Sequence, residues 1–291
     1  MANKSLTIII PAYNEEESLF HLLPGIILFC EQRNFNLIIV NDGSKDKTKE
    51  VITGFLDHSC LHLIHHKVNR GYGGALKSGI LEASTDYIIT IDADGQHYLE
   101  DVEKLFAEIV EKDADMIVGS RKGNKGGSVY RSLGKSLIRM VAKILLPLKI
   151  YDINSGMKIY NTQYAKKYIS ICPDSMAFSD IITLLFINNK HLVLETPISI
   201  KERKTGQSTI SINTAFETLK QIINIVVLFN PMKIFFPVSF MFMITGIAWA
   251  LPILLRGGGM SVGASLLIIM SIMSFLLGLI AEQLSMIKKN L

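Results

Sequence analysis

Tyr87-Ile-Ile-Thr-Ile91-Asp92-Ala93-Asp94-Gly95-Gln96 is the stretch that decides how this chain reads. An uncharged, β-branched run, Tyr87–Ile91, reads as a strand buried on both faces. It ends in Asp92-Ala93-Asp94. Residues two apart in an extended segment point the same way, so the two carboxylates face one point. Their repulsion is costly unless a cation or a proton relieves it. Hard oxygen donors suit Mg2+ or Mn2+, ions that commonly share their coordination with substrate phosphates. Gln96 adds another oxygen, so Asp92, Asp94 and Gln96 are the candidate metal ligands. An isolated D-x-D also describes a solvated acidic turn. Its place at the end of an apolar strand sets this one apart.

The pattern repeats on both sides. Leu6–Ile10 ends at Pro11, Leu37–Val40 ends at Asn41-Asp42-Gly43-Ser44, and Leu61–Ile64 and Met116–Val118 are further apolar runs. Helical spacing covers Glu15–Arg33, with Asn14 as N-cap, then Asp46–Leu56, Gly71 to about Ser84, and Leu99–Lys112. Continuously apolar strands alternating with helices predict an α/β fold, a mainly parallel sheet with helices on both faces. Ligands of such sheets bind beyond the carboxyl ends of the strands. Tyr13–Glu15, Asn41–Ser44 and Asp92–Gln96 all fall there. In Pro11–Glu16 a tyrosine can cover a base and a carboxylate can accept ribose hydroxyls; the plain alternative is an acidic helix start. Asn41–Ser44 alone is a turn. Asn69-Arg-Gly-Tyr-Gly-Gly-Ala75 suggests a phosphate cradle or, equally, tight packing at a helix start; its glycine spacing is not the dinucleotide fingerprint. Leu192–Ile200 reads as another strand, a candidate hairpin arm.

The chain has 291 residues, 49% hydrophobic and 19% charged, below the roughly 25% charged of ordinary domains. The deficit is local: from Ile234 to Ile287 only Arg256 and Glu282 are charged. This excludes a disordered chain, a fully soluble one, and a transporter without an extramembrane body. Ile234–Leu255 and Val262–Ile287 each match the roughly 20 helical residues that a bilayer core requires. Lys233 and Lys288-Lys289 flank one side and Arg256 the other. The expected topology is two spans with the large domain and both termini cytosolic, in a bacterial or archaeal plasma membrane. No signal peptide is expected, since Met1–Ser5 runs straight into a strand. The expected organisation is a catalytic domain over 1–212, an amphipathic interfacial helix over 213–231 and a hairpin over 232–291.

A net charge of +4 without a long basic run gives no reason to expect nucleic acid. Cys30, Cys60 and Cys172 are too scattered for a disulfide framework or a zinc site, and a reducing compartment is expected. His58, His62, His65 and His66 fit no zinc spacing and read as surface. His97 reads as structural. Arg131, Lys135, Arg139 and Lys143 form a basic helical face that suits an anionic membrane surface.

Seven ordered segments resemble the family 2 glycosyltransferases: Pro11–Glu16, Val40–Thr48, Asn69–Gly79, Asp92–His97, Gly119–Arg121, Asp152–Gly156 and Arg203–Ser208. The D-A-D-G-Q-H form and the two spans favour the polyprenyl-phosphate hexose transferase branch, which includes dolichyl-phosphate mannose synthase and bacterial undecaprenyl-phosphate enzymes. The resemblance implies a GT-A type nucleotide-sugar-binding domain. It implies that Pro11, Tyr13, Glu15, Val40 and Asp42 hold the nucleoside. Asp92, Ala93, Asp94 and Gln96 would meet the metal and the donor diphosphate, and Arg121 and Arg131 the acceptor phosphate. Lys201 and Arg203 would lie in a loop closing over the donor. Relatives often carry a glutamate where this chain has Phe178-Ser179-Asp180.

The acceptor class can be argued from chemistry. A sugar hydroxyl needs a general base. A lipid monophosphate, with a second pKa of about 6, is already anionic and needs positioning and neutralisation. Arginines near the site without an evident base suit the phosphate. The expected partners are a UDP- or GDP-hexose, a polyprenyl phosphate (undecaprenyl or dolichyl) and a lipid bilayer, with a homo-oligomer left open. The expected reaction is an inverting, metal-dependent hexose transfer. Alternatives are transfer to a lipid hydroxyl or polysaccharide, and a non-catalytic membrane-anchored nucleotide-sugar-binding protein.

Overall fold

The computed structural model describes residues 4–121, 150–201, 223, 226, 227 and 230–290. They fall into two units, one holding 4–121 and 150–201, the other the described residues from 223 onward. In the first unit β1 (Leu6–Ala12) pairs in parallel with β2 (Asn36–Asn41) on one side and β4 (Tyr87–Thr90) on the other. β2 pairs in parallel with β3 (Leu61–His65). Ile8, Ile9 and Ile10 are all buried, so β1 is covered on both faces, as its unbroken apolar run requires. Each such isoleucine contributes roughly 1.5–3 kcal/mol of burial free energy.

Beyond β4 the sheet stops being parallel. β6 (Lys158–Asn161) lies between β4 and β5 (Met116–Ser120), antiparallel to both. β7 (Val193–Pro197) closes the edge in parallel with β5, giving the order β3-β2-β1-β4-β6-β5-β7. The expected hairpin arm at Leu192–Ile200 is therefore a parallel edge strand; α5 (Thr162–Tyr168) and α6 (Phe178–Asn188) lie between β6 and β7 in sequence.

Strand alternation assigns the helices to faces. Leu6, Ile8 and Ile10 share a core with Leu19, Leu23 and Ile26 of α1 (Glu16–Arg33) and with Val102, Leu105 and Ile109 of α4 (Leu99–Glu111). Ile9 and Val40 face α3 (Tyr72–Glu82). A Cβ built on Gly79 would lie 2.6 Å from Ile9 Cγ2, so only glycine allows that helix so close. On β6, Ile159 joins the first core while Tyr160 points the other way, its ring 6.1 Å from Phe186 of α6. α2 (Thr48–Thr53) starts later than its sequence pattern, because Asp46 bonds the Thr48 amide and hydroxyl from outside the helix, and it ends at Gly54.

In the second unit, α7 (Met232–Leu255) and α8 (Val262–Asn290) form a hairpin turned at Gly257–Gly259. Met232–Leu255 and Val262–Ile287 are long and apolar enough to cross a membrane. The two helices meet through small residues and a reciprocal hydroxyl exchange: Ser239 Oγ donates to Ser271 O (2.9 Å) and Ser271 Oγ to Ser239 O (2.7 Å). Interhelical polar contacts of this kind bind apolar helices to each other where hydrophobic burial cannot.

Candidate active site

Parallel pairing of β2, β1 and β4 brings their carboxyl ends to one edge, and there the first two loops are stitched together. Asn14 has a left-handed φ of 55°. Its side chain accepts from Lys45 N (2.8 Å) and its amide donates to Ser44 Oγ (3.0 Å). Asn14 is thus not the N-cap of α1. Glu15 occupies that position without a side-chain cap bond of its own, and its amide and that of Glu16 are capped from the other loop by Thr48 Oγ1 and Asp46 Oδ2. Pro11, Tyr13 and Glu15 sit at this edge, with Tyr13 42% exposed. Val40 is fully buried in the sheet.

Asp42, next to Val40 and Asn41, is buried and fully engaged. His66 Nδ1 donates to its Oδ1 at 2.6 Å, and the amides of Arg70 and Gly71 donate to Oδ1 and Oδ2 at 2.9 Å each. His66 Nε2 meets Ser78 Oγ at 2.9 Å. The expectation of a surface histidine fails for His66, which is only 4% exposed: it bridges β3 to α3. The glycine-rich loop is the tight-packing alternative rather than a phosphate cradle. Four of its amides are already spent, Arg70 and Gly71 on Asp42, Gly73 and Gly74 on Asp174 O. At Gly73 a Cβ would strike Pro173 O. His66→Ala leaves the Asp42 carboxylate short of a buried donor, a cost of roughly 1–3 kcal/mol. A melting temperature several degrees below wild type is expected in detergent, and an unchanged one would contradict this role for His66.

The same loop reaches Asp92. Tyr72, beside Gly71, donates its hydroxyl to Asp92 Oδ1 (3.1 Å), and His97 Nε2 lies 3.6 Å from Oδ2. Burial opposes ionisation of Asp92, but His97, the Tyr72 hydroxyl and the charge of Arg121 outweigh it and hold the carboxyl below its usual range. Burial and the neighbouring Asp92 charge push the Tyr72 phenol well up, so it stays a donor. The Asp92 side chain keeps 36% exposure. Its seat exists because residue 156 is glycine: a Cβ there would collide with both carboxylate oxygens. Ala93 is buried, and Asp94 Oδ1 accepts from Gln96 N (3.1 Å). Gln96 O accepts from Lys201 N (2.9 Å), which ties Lys201 to this loop. Among the described residues no group of three or more His, Cys, Asp or Glu is gathered around one point. The segment turns at Ala93-Asp94 instead of continuing the strand, and Asp92 and Asp94 supply the hard oxygen donors that a divalent cation sharing its shell with substrate oxygens and water would take.

β5 runs in the same direction as β4, so Arg121 emerges at the same edge. Its guanidinium is not free. Nε and Nη2 grip Asp152 Oδ2 and Oδ1 at 2.7 and 2.8 Å, and Asp152 N donates in turn to Glu195 Oε1 (3.0 Å). Burial opposes the charge on Asp152, and Arg121 overrides it, holding the carboxyl low. Arg131, Arg203 and the basic face over 131–143 lie outside the described residues. Sequence reasoning missed Tyr72, Asp152, Gly156 and Lys158 as site-shaping residues. Three stand inside quoted motifs; for Lys158 the available signal is a lone charge within an apolar strand.

A profile described as "Glycosyl transferase family 2" matches residues 7–169, more than half of the chain, and one described as "GtrB C-terminal hairpin" matches 230–287. The chain is similar to an undecaprenyl-phosphate 4-deoxy-4-formamido-L-arabinose transferase of Photorhabdus laumondii, 29% identical over 72% of this chain and 63% of the relative. It is similar to a dolichol-phosphate mannosyltransferase of Pyrococcus furiosus, 30% identical over 75% of this chain and 62% of the relative. The match thus spans less than two thirds of these relatives' own length. Among solved structures, glucosyl-3-phosphoglycerate synthase from Mycobacterium tuberculosis, in complex with Mn2+, UDP-glucose and phosphoglyceric acid, aligns with a TM-score of 0.60. It is 14% identical, and the alignment covers 77% of this chain and 80% of that one. S. aureus TarS 1-349 in complex with UDP aligns at 0.53, 20% identical, over 77% and 65%. These likenesses give a GT-A-like mixed sheet, and with the profile match the chain belongs to glycosyl transferase family 2.

Proposed function

We propose that this chain transfers a hexose from a nucleotide sugar, a UDP- or GDP-hexose, to a polyprenyl phosphate held at a membrane. The observation that carries the reading is the pair Asp92 and Asp94 at the carboxyl edge of β4, with Asp92 seated by Tyr72 and Gly156. The relatives' names, undecaprenyl-phosphate and dolichol-phosphate transferases, support the acceptor class. The neighbouring synthase's Mn2+ and UDP-glucose support the metal and the donor class.

In this reading Tyr13 and Glu15 meet the nucleoside at the open edge, beside Pro11. Asp42 and Val40 shape the wall behind them, Asp42 through the loop it holds. Asp92, Asp94 and Gln96 would hold Mg2+ or Mn2+, with Ala93 beside them, and the ion would stabilise the leaving nucleoside diphosphate. The acceptor phosphate is anionic without a base, so the protein's part is to neutralise and aim it. Arg131 would do this with its guanidinium fork, which matches phosphate oxygens, while Arg121, whose own fork is held by Asp152, would add positive charge beside it. Lys201 and Arg203 close over the donor. A single in-line displacement inverts the anomeric centre. The hairpin would span the bilayer, with the catalytic unit and both termini cytosolic.

The test is a panel of UDP- and GDP-hexoses with Mn2+ or Mg2+ and undecaprenyl phosphate, undecaprenol or no lipid, read by product mass. Lipid-linked phosphohexose formed only with the phosphate supports the reading. Product on undecaprenol, or nucleotide release without any lipid-linked sugar, contradicts it.

A further inference from the structure

Lys158 is fully buried in β6, a site where an unpaired charge costs several kcal/mol. Its Nζ is ringed by four oxygens: Ile153 O and Ser179 O at 2.5 Å each, Ser179 Oγ at 2.7 Å and Thr183 Oγ1 at 2.9 Å. The hydroxyl protons in this ring are already committed. Ser179 Oγ donates to Ser155 O (2.8 Å) and Thr183 Oγ1 donates to Ser179 O (2.9 Å). All four oxygens therefore face Lys158 as acceptors. An ammonium supplies three N–H donors to such a ring. A neutral amine supplies two and turns a lone pair onto an oxygen. The cage is built for the charged form. Burial pushes the lysine down to about 7, and Asp180 and Asp152 act in the opposite direction. Asp180, on α6, is itself pushed up to about 6 by burial, and its Oδ1 is buried without a hydrogen-bond partner among the described residues.

The cage joins two segments that both face the site. Ile153 and Ser155 belong to the loop 152–156, while Ser179 and Thr183 belong to α6. One end of that loop is Asp152, which aligns Arg121. The other is Gly156, whose lack of a side chain seats Asp92 and whose carbonyl accepts from Thr90 Oγ1 (2.8 Å). The β-sheet register sets Lys158 opposite Thr90 of β4 and Val118 of β5, directly below the strand ends that lead to Asp92 and Arg121.

We infer that Lys158 is a positioning residue for glycosyl transfer: its caged ammonium locks the loop 152–156 onto α6 and thereby fixes Asp92 and Arg121 together. This rests on the function proposed above. Misplacement of reacting groups by about 1 Å costs about a hundredfold in rate. Lys158→Met, which fills the same volume without the charge, should lower kcat by about that factor while the KM for the nucleotide sugar moves less than threefold. Thr183→Val removes one acceptor and leaves the loop backbone alone. It should lower kcat by about three- to tenfold, and it serves if Lys158→Met fails to fold.

Both variants are made in the full chain in detergent and followed by hydrogen exchange as well as turnover. Exchange should rise in 152–156 and the first turn of α6, and stay at the wild-type level in α1 and α4. Unchanged exchange in the loop overturns the inference whether or not any activity is seen. So does faster exchange with wild-type kcat. A fall in kcat matched by an equal rise in KM assigns Lys158 to donor binding and also overturns it. Absence of lipid-linked sugar from the wild type counts against the functional reading alone, because the exchange measurement still decides the locking role.

Discussion

Asp92→Asn should lower hexosyl transfer by about a hundred- to ten-thousandfold while the melting temperature stays within a few degrees of wild type. The amide keeps the shape of the carboxylate and still accepts from the Tyr72 hydroxyl 3.1 Å away, so the loop has no reason to move. What is lost is one negative charge at the point where a cation and a departing diphosphate would meet. Lewis-acid stabilisation is worth several kcal/mol in the transition state, and each 1.36 kcal/mol is tenfold in rate. Asp94→Asn should act in the same direction. Initial rates by product mass, set beside thermal melting, make the check. Asp92→Asn turnover within threefold of wild type would remove Asp92 from the chemistry.

Gly156→Ala should cost nearly as much, although residue 156 carries no functional group. A Cβ there would collide with the Asp92 carboxylate, and under such overlap something must shift. The loop cannot yield readily, since Thr90 Oγ1 holds Gly156 O and Lys158 holds Ile153 O. Asp92, which meets the new Cβ with the free end of its side chain, is the one that moves. The expected loss is about a hundredfold. The two substitutions should be far from additive: in an Asp92→Asn background Gly156→Ala should cost little more, because the group it displaces has already lost its charge. Additive losses would mean that residue 156 acts through something other than Asp92.

The first half of the sheet was readable because β1, β2 and β4 are buried on both faces and carry no charged residue. Polar clusters at the ends of Leu6–Ala12, Asn36–Asn41 and Tyr87–Thr90 then had to share an edge. The second half was not. β6 is four residues long and carries a lysine, and its neighbours lie far away in sequence. Asn14 looks like a helix cap, a local inference, but its partner is Lys45 in another loop. His66 sits in a histidine-rich stretch whose other members are exposed or partly so, and only the arrival of Asp42 and Ser78 buries it. The glycines at 71–74 announce close backbone approach without saying to what; the answer is the carbonyl of Asp174. Motif residues were legible as a set, whereas the partner of each one is a tertiary fact.

The order of the strands also bears on how the chain is made. β3, β2, β1 and β4 can pair with one another as soon as they leave the ribosome, since each has a partner already synthesised or soon to follow. β5 cannot. Both of its neighbours, β6 and β7, come later in the sequence. At translation speeds of about 5–20 residues per second, the interval between Ser120 and Lys158 lasts roughly 2–8 s. Throughout it, β4 presents an open edge and β5 an unpaired apolar strand. The sheet is exposed to misassociation during that interval, which ends when the strand bearing Lys158 enters between β4 and β5.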